Sequence, residues 1–188
     1  FYLALFGKMM INITVTAFGT YQIFLLTSGM GLDQTTAGKY VSWMGTATMV
    51  TAIVFSSTAG MVSDKLHTRK WLVAFSALLT SVGTLLPFLT KSPESMIWYG
   101  IIAGTGAGIF FAVDQALNLE VLPNPETAAK DLGILNFANT GAQILAPVLG
   151  AILFDLVGKA YMPILPWLSG IALLGGLLVL GINEHKTV

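Results

Sequence analysis

Six long uncharged runs, joined by short segments that hold most of the charge, constrain this 188-residue chain more than any other feature. Residues 9–32, 40–62, 71–90, 95–113, 132–154 and 160–183 contain no Asp, Glu, Lys or Arg. About 20 apolar residues in a helix cross roughly 30 Å of hydrocarbon, and every run has about that length. Lipid offers no hydrogen-bond partners to an open backbone, so each run is expected to be helical. The first helix should begin near Phe1 and so include Lys8, and the fourth should continue through Asp114 to Leu122. The expected architecture is an all-α polytopic membrane protein with six transmembrane helices. Its spans are about 1–32, 40–62, 71–90, 95–122, 132–154 and 160–183.

Composition agrees with that reading. The chain is 55% hydrophobic and only 10% charged, where a soluble domain carries about 25% charged residues. Nine acids balance nine bases, so nothing points to nucleic acid as a partner. Absence of cysteine excludes disulfides and thiolate metal sites. His67 and His185 fall in separate surface segments, and no metal-ligand cluster, phosphate-binding glycine loop or nucleophile elbow is present. No cofactor is expected. An intramembrane hydrolase would need a second acid or a nucleophile–base set beside Asp114, and the spans supply none, so an enzyme is not expected.

The densest cluster of charge is Gly60-Met61-Val62-Ser63-Asp64-Lys65-Leu66-His67-Thr68-Arg69-Lys70. It reads as a charged turn at a membrane surface, and short basic loops resist translocation, so it is assigned to the cytoplasmic side. That choice puts residues 123–131 and the C-terminal tail on the same side. Lys65, Arg69, Lys70, Lys130 and Lys186 are then inside, against Lys39, Lys91 and Lys159 outside.

Polar residues gather in stripes on three of the spans. In the first, Lys8, Asn12, Thr16, Gly19 and Gln22 fall within an arc of about 120° at 100° per residue. Such a stripe faces a cavity or another helix rather than lipid. In the fourth, Gly100, Gly104 and Gly108 have the spacing that lets helix backbones approach closely. Asp114, Gln115 and Asn118 follow them. An ionised Asp at bilayer depth costs about 2.5–3.5 kcal/mol, so it needs a partner, water or a proton. Lys8, at a similar expected depth, is the candidate partner, and a place in the cytoplasmic charge network is the alternative. In the fifth, Asn136, Asn139, Thr140 and Gln143 lie within about 100° of arc, with Pro147 on the same face. Carboxamides offer donor and acceptor without burying charge. Solute contact and plain interhelical hydrogen bonding both remain open for them. Asp131 stands where the fifth helix needs an N-cap or a first-turn acid. The hydroxyls of the second span read as bonded to their own backbone, and the third and sixth spans read as peripheral.

The charged cluster resembles the loop signature of the major facilitator superfamily, Gly-x-x-x-Asp-Arg-x-Gly-Arg-Arg-Lys. Gly60, Asp64, Arg69 and Lys70 match, Lys65 keeps the charge of an arginine, and His67 and Thr68 depart from the pattern. The run from Asp114 through Pro123 to Gly133, with Asn136, Ala138 and Pro147, is similar to the tenth-to-eleventh helix region of many bacterial members. Asp155 between Gly150 and Gly158-Lys159 faintly echoes the loop signature, as an inverted three-plus-three repeat would.

The resemblance implies the C-terminal six-helix half, residues 1–188, of a twelve-helix carrier whose N-terminal half is absent from the chain. It implies alternating access about a central site, in a bacterial-type inner membrane. It implies a cytoplasmic latch in which Asp64 meets the start of the fifth helix near Asp131 and Arg69 pairs with Glu120 or Asp114. Gly60, Lys65 and Lys70 complete that set. Solute contact is expected from Asn12, Gln22, Gln115, Asn118, Asn136, Asn139, Thr140 and Gln143, and proton response from Asp114 with Lys8. The expected partners are the lipid bilayer, a small neutral or amphiphilic solute, and either the missing half or a second copy. A non-transporting six-helix scaffold, or an inactive half assembling with a partner, is the competing class.

Overall fold

The computed structural model describes residues 1–66, 69–120, 122 and 127–182, with the side chains of residues 64–66, 115 and 120 outside that description. Six helices account for nearly all of it. They are α1 (Tyr2–Phe24), which runs on into a π-helical turn at Leu25–Gly29, α2 (Gln34–Leu66), α3 (Arg69–Thr90), α4 (Ser95–Glu120), α5 (Ala128–Leu156) and α6 (Ile164–Leu180). Five are long and apolar enough to cross a membrane. The 17-residue α6 covers about 25 Å at 1.5 Å per residue. It is shorter than the expected 160–183 because residues 161–163 form a turn that leads to Pro163 at its N-cap.

Two other boundaries differ from expectation. The cluster at residues 60–70 is not a loop through its whole length, since α2 continues through Gly60, Ser63 and Asp64 to Leu66 and α3 starts at Arg69. Polar residues are compatible with helix once it leaves hydrocarbon, so the charges mark a surface and not a helix end. Gly60 sits in open space inside α2, where nothing requires a glycine. α5 begins at Ala128, with Thr127 as N-cap and Asp131 as the acid of its first turn. Thr127 Oγ1 donates to Asp131 Oδ2 at 2.7 Å.

The helices pack in the order α2, α4, α3, α6, α1, α5. Exchanging α1, α2 and α3 for α4, α5 and α6 maps each of these neighbouring pairs onto another, and α3–α6 onto itself. The packing therefore has an internal two-fold pattern, and three helices per unit make the second unit enter from the opposite face. Glycines set the close approaches. A Cβ on Gly100 would lie 2.5 Å from Met44 O, one on Gly104 2.6 Å from Thr48 O, and one on Gly108 2.5 Å from Ala52 O. The every-fourth glycines of α4 thus seat α2 against it. On the other side Gly7 and Gly175 bring α1 and α6 together, each barring a side chain on the other.

α3 and α6 turn large apolar residues outward on one side and pack against α4 and α1 on the other. They lie mid-order, between α4 and α1, and bury their small polar residues. Ser81 and Ser169 share a 2.7 Å hydrogen bond between α3 and α6. Thr14 Oγ1 on α1 donates to Leu168 O at 2.9 Å. Large apolar residues of α3, including Phe75, Leu78 and Val82, point outward, as lipid demands. The helix left barest is α2, whose hydroxyls satisfy themselves on carbonyls three or four residues back, as in Thr46 to Ser42 O at 2.9 Å. All four tryptophans, Trp43, Trp71, Trp98 and Trp167, are exposed within the first ten residues of their helices. That position suits an aromatic belt at a bilayer surface.

Candidate functional site

Lys8 and Asp114 are each six residues from the end of their helix, about 9 Å along the axis. Because α1 rises where α4 descends, the two arrive at the same depth. Lys8 Nζ lies 2.6 Å from Asp114 Oδ2, with both side chains almost fully buried. Asn118, one turn further on α4, donates from Nδ2 to the same oxygen at 3.1 Å. A buried pair offsets its desolvation only when such added hydrogen bonds complete it. Val113 and Leu117 on α4, Leu135 on α5, and Ala4 and Ile11 on α1 belong to one buried apolar cluster formed by the same three helices.

A second polar chain leaves the same point on α1. Asn12 Nδ2 donates both to Lys8 O at 3.0 Å and to Asn139 Oδ1 at 3.1 Å. Asn139 Nδ2 in turn donates to Asn136 Oδ1 at 3.0 Å. Each hydrogen bond of this kind between membrane helices contributes only about 0.6 kcal/mol. The carboxamides therefore orient one another more than they hold the helices together. Asn12 and Asn139 are half-buried, while Asn136, Thr140 and Gln143 are exposed along the open face of α5. Gln22 is half-buried on α1, nearly three turns beyond Asn12.

Between the ion pair and the start of α5 opens a cleft of about 370 Å³, lined by Lys8, Asn118, Leu132, Gly133 and Asn136. Leu132 and Gly133 were not foreseen. They lie four and three residues before Asn136, on the same helix face, and that spacing was the available signal. The π-helical turn at the far end of α1 was not foreseen either. There Tyr21 Oη donates to Pro147 O at 2.8 Å, and the Tyr161 ring packs against Phe24 and Phe154.

The α2–α3 junction lies at the same end of the molecule as the cleft. Arg69 Nη1 donates to Ala116 O on α4 at 3.0 Å, and Lys70 Nζ donates to Ile182 O just beyond α6 at 2.8 Å. The two bases thus reach in different directions. Of the expected acids for Arg69, Asp114 is engaged by Lys8 and Asn118. The side chains of Asp64, Lys65, Glu120 and Gln115, and all of His67 and Thr68, lie outside the described residues. Among the described residues no group of His, Cys, Asp and Glu could hold a metal ion.

The sequence model of the family described as Major Facilitator Superfamily matches residues 4–186. The "Inner membrane metabolite transport protein YgcS" of Escherichia coli K12 is 28% identical over 163 residues, covering 85% of this chain and 34% of that protein. The "Purine ribonucleoside efflux pump NepI" of Escherichia coli O6:K15:H31 is 24% identical over 71% of this chain and 32% of its own length. Among solved structures, the proton:xylose symporter XylE bound to 6-bromo-6-deoxy-D-glucose superposes with a TM-score of 0.74 at 16% identity. It covers 97% of this chain and 44% of that one. The inward-open form of XylE from Escherichia coli gives 0.74 as well, at 17% identity. The chain spans about a third of the curated relatives it matches and under half of XylE.

Proposed function

The chain belongs to the major facilitator superfamily, and on that premise we propose that it is the C-terminal six-helix half of a secondary active transporter. The proposed carrier moves a small neutral or amphiphilic solute by alternating access and couples that movement to protons. The observation that carries this reading is the buried Lys8–Asp114 pair, whose Lys8 lines a cleft together with Asn118 and Asn136. Adding a proton to Asp114 cancels the attraction that holds Lys8. One protonation event thus gives the site two electrostatic states, and a carrier needs such differential stabilisation of two conformations.

In this reading the exposed carboxamides and hydroxyl of α5, with Asn12, Gln22, Gln115 and Asn118, face solute and the other half. The α2–α3 junction acts as the latch through Gly60, Asp64, Lys65, Arg69, Lys70, Glu120 and Asp131. The described contact that supports it is the one from Arg69 to α4. The basic residues there favour a cytoplasmic junction and C-terminus in a bacterial-type inner membrane. The partner is the N-terminal half of the same transporter or a second copy. A non-transporting scaffold draws support from one observation: Asn12, Asn139 and Asn136 bond one another across α1 and α5, as purely structural carboxamides would.

The test is uptake of a solute panel by the intact protein carrying this chain, reconstituted in proteoliposomes, with and without a proton gradient. Asp114→Asn should abolish gradient-driven uptake while solute exchange at equal pH persists. Swapping the charges, Lys8→Asp with Asp114→Lys, should restore part of it. Uptake driven unchanged in Asp114→Asn would return the pair to a structural role, and no uptake of any solute would favour the scaffold.

A further inference from the structure

Lys8 and Asp114 cancel one another's charge, but they do not face the cleft equally. Lys8 lines it with Asn118, Leu132, Gly133 and Asn136, and Asp114 is not among the described residues of that lining. Toward the cleft of about 370 Å³, the pair therefore presents its ammonium. That volume falls at the lower end of the roughly 300–1,000 Å³ usual for small-molecule sites. An ammonium has three N–H donors and no acceptor. Among the described residues Lys8 Nζ is bonded to one acceptor, Asp114 Oδ2. Two donors are left on a side chain that is 4% exposed and belongs to the cleft wall.

The neighbouring carboxamides are oriented by their own partners. Asn136 Oδ1 accepts from Asn139, which leaves Asn136 Nδ2 to donate elsewhere. Asn118 Nδ2 donates to Asp114 Oδ2. A carboxamide carries a donor and an acceptor, and a protonated carboxyl gains an O–H donor. Asn118 can thus hold Asp114 in either protonation state. Leu132 adds apolar wall beside these groups. Donors at one point and an apolar side next to them suit an anionic head with an apolar body. Asp114 itself shows which anion fits the ammonium, a carboxylate 2.6 Å away. Two ionised carboxylates on one buried ammonium would leave an unbalanced charge, so a second enters only as the first is neutralised.

Other charges stand apart from this exchange. Among the described side chains at this end, Arg69 and Lys70 on α3 donate to Ala116 O and Ile182 O, and Asp131 on α5 accepts from Thr127. Lys130 precedes Asp131 on an exposed turn, and none of the four lines the cleft.

We propose that the cleft binds a small amphiphilic carboxylate, whose head group replaces Asp114 on Lys8 as Asp114 accepts a proton. This inference rests on the carrier reading above and narrows its solute to an acid. The empty site holds the Asp114 carboxylate and the Lys8 ammonium. The loaded site holds the Asp114 carboxylic acid, the Lys8 ammonium and the bound carboxylate. Both states are neutral overall, because one proton enters with each anion and no other bond changes. Asn136 Nδ2 donates to the incoming head, and Leu132 meets its body.

The test is titration of the intact protein in nanodiscs with benzoate, near pH 7 and in weak buffer containing a pH indicator. Benzamide serves as the neutral isostere, and Lys8→Gln subtracts benzoate that enters the lipid. Proton and ligand are reciprocally linked, so benzoate should bind with uptake of about one proton per site and benzamide with none. In Asp114→Asn no carboxylate competes for Lys8, so benzoate should bind at least about tenfold tighter and take up no proton. Benzoate should also raise the melting temperature of that variant more than benzamide does, because it returns a counterion to Lys8. Lys8→Arg should keep benzoate binding. Absence of proton uptake at saturating benzoate in the native protein would overturn the proposal, and it decides alone if Asp114→Asn does not fold. A folded Asp114→Asn that binds no benzoate would overturn it too. The readout is binding, so the two readings fail separately. Gradient-driven uptake of neutral solutes without benzoate-linked protons would remove the acid site and spare the carrier. Benzoate-linked protons without transport of any solute would keep the acid site and remove the carrier.

Discussion

The α2–α4 and α1–α5 seams exchange under the internal two-fold pattern, yet they are built from different chemistry. Along α2–α4, Gly100, Gly104 and Gly108 meet the backbone of Met44, Thr48 and Ala52, and Thr48 and Thr51 bond their own helix, Thr51 with a longer 3.5 Å contact to Gly100 O as well. Along α1–α5, Asn12 and Asn139 bond across the gap, Tyr21 reaches Pro147 O, and a 370 Å³ cleft opens beside Lys8. The α2–α4 seam thus brings backbones of the two repeat units together. The α1–α5 seam between the same two units is bridged instead by polar side chains. The same packing plan leaves chemistry to the less tightly sealed side.

The largest difference should appear when the ion pair is broken. Asp114→Leu would strand a buried ammonium, and removing one partner of a buried pair costs about 3–5 kcal/mol. Lys8→Met should cost a similar amount. The double variant should recover most of the loss, because an apolar pair of similar volume needs no compensation. Thermal unfolding of the intact protein in detergent, followed across the four-member cycle, would reveal this. Additive losses would mean that the two charges do not depend on each other.

A change of steric kind probes the opposite seam. In Gly104→Leu the first added carbon meets backbone at Thr48, which cannot swing aside as a flexible side chain could. Overpacking of this sort costs about 1–3 kcal/mol, so the same melting assay should register a clear drop. Gly133→Leu, placed where a Cβ meets nothing within 4 Å, should leave stability nearly unchanged. Similar losses at both positions would erase the contrast between a sealed and an open seam.

How much of this was visible in the residues follows from what each signal measures. Run length and lack of charge report burial in lipid, and they located all six helices. The 100° periodicity placed Lys8, Asn12, Asn136 and Asn139 on faces that do converge, and equal depth brought Lys8 to Asp114. Helix ends were read less well, because charge at Asp64 and Lys65 marks the water boundary while the hydrogen-bond ladder of α2 continues past it. The pairing of α3 with α6 was not legible in the residues for a related reason. Small hydroxyls such as Ser81 and Ser169 look unremarkable in sequence, and only pairing across helices shows that they line an interface. The direction taken by Lys70 depends on α6, more than a hundred residues away, and local pattern carries no trace of it.

The smallest effect belongs to the end of the α2–α4 seam remote from the cleft, where two exposed acids are tied to the start of these helices. Asp33 Oδ2 accepts from the backbone N–H of Thr36 at 3.0 Å, which holds its carboxyl below the usual aspartate range. Glu94, just before α4, is likewise lowered, chiefly by its own backbone N–H and by Ser92, and it accepts from Tyr40 Oη of α2 at 3.2 Å. A carboxyl whose folded value is depressed stabilises the fold fully above its unfolded value. That contribution is lost as pH falls through the folded value. For Asp33 the loss therefore sets in below about 3.9, the ordinary aspartate value. Amide exchange at Thr36 and Ala37, corrected for intrinsic rates, should lose protection as pH drops from 6 to 3. Asp33→Asn still caps the helix but cannot titrate, so its protection should stay level over the same range. The start of α5 is the counterpart at the other seam, with Asp131 accepting from a hydroxyl rather than from the backbone. If protection at Thr36 fell equally in Asp33→Asn, the acid sensitivity of this seam would have to come from elsewhere, and Glu94 with its contact to Tyr40 would be the next group to replace.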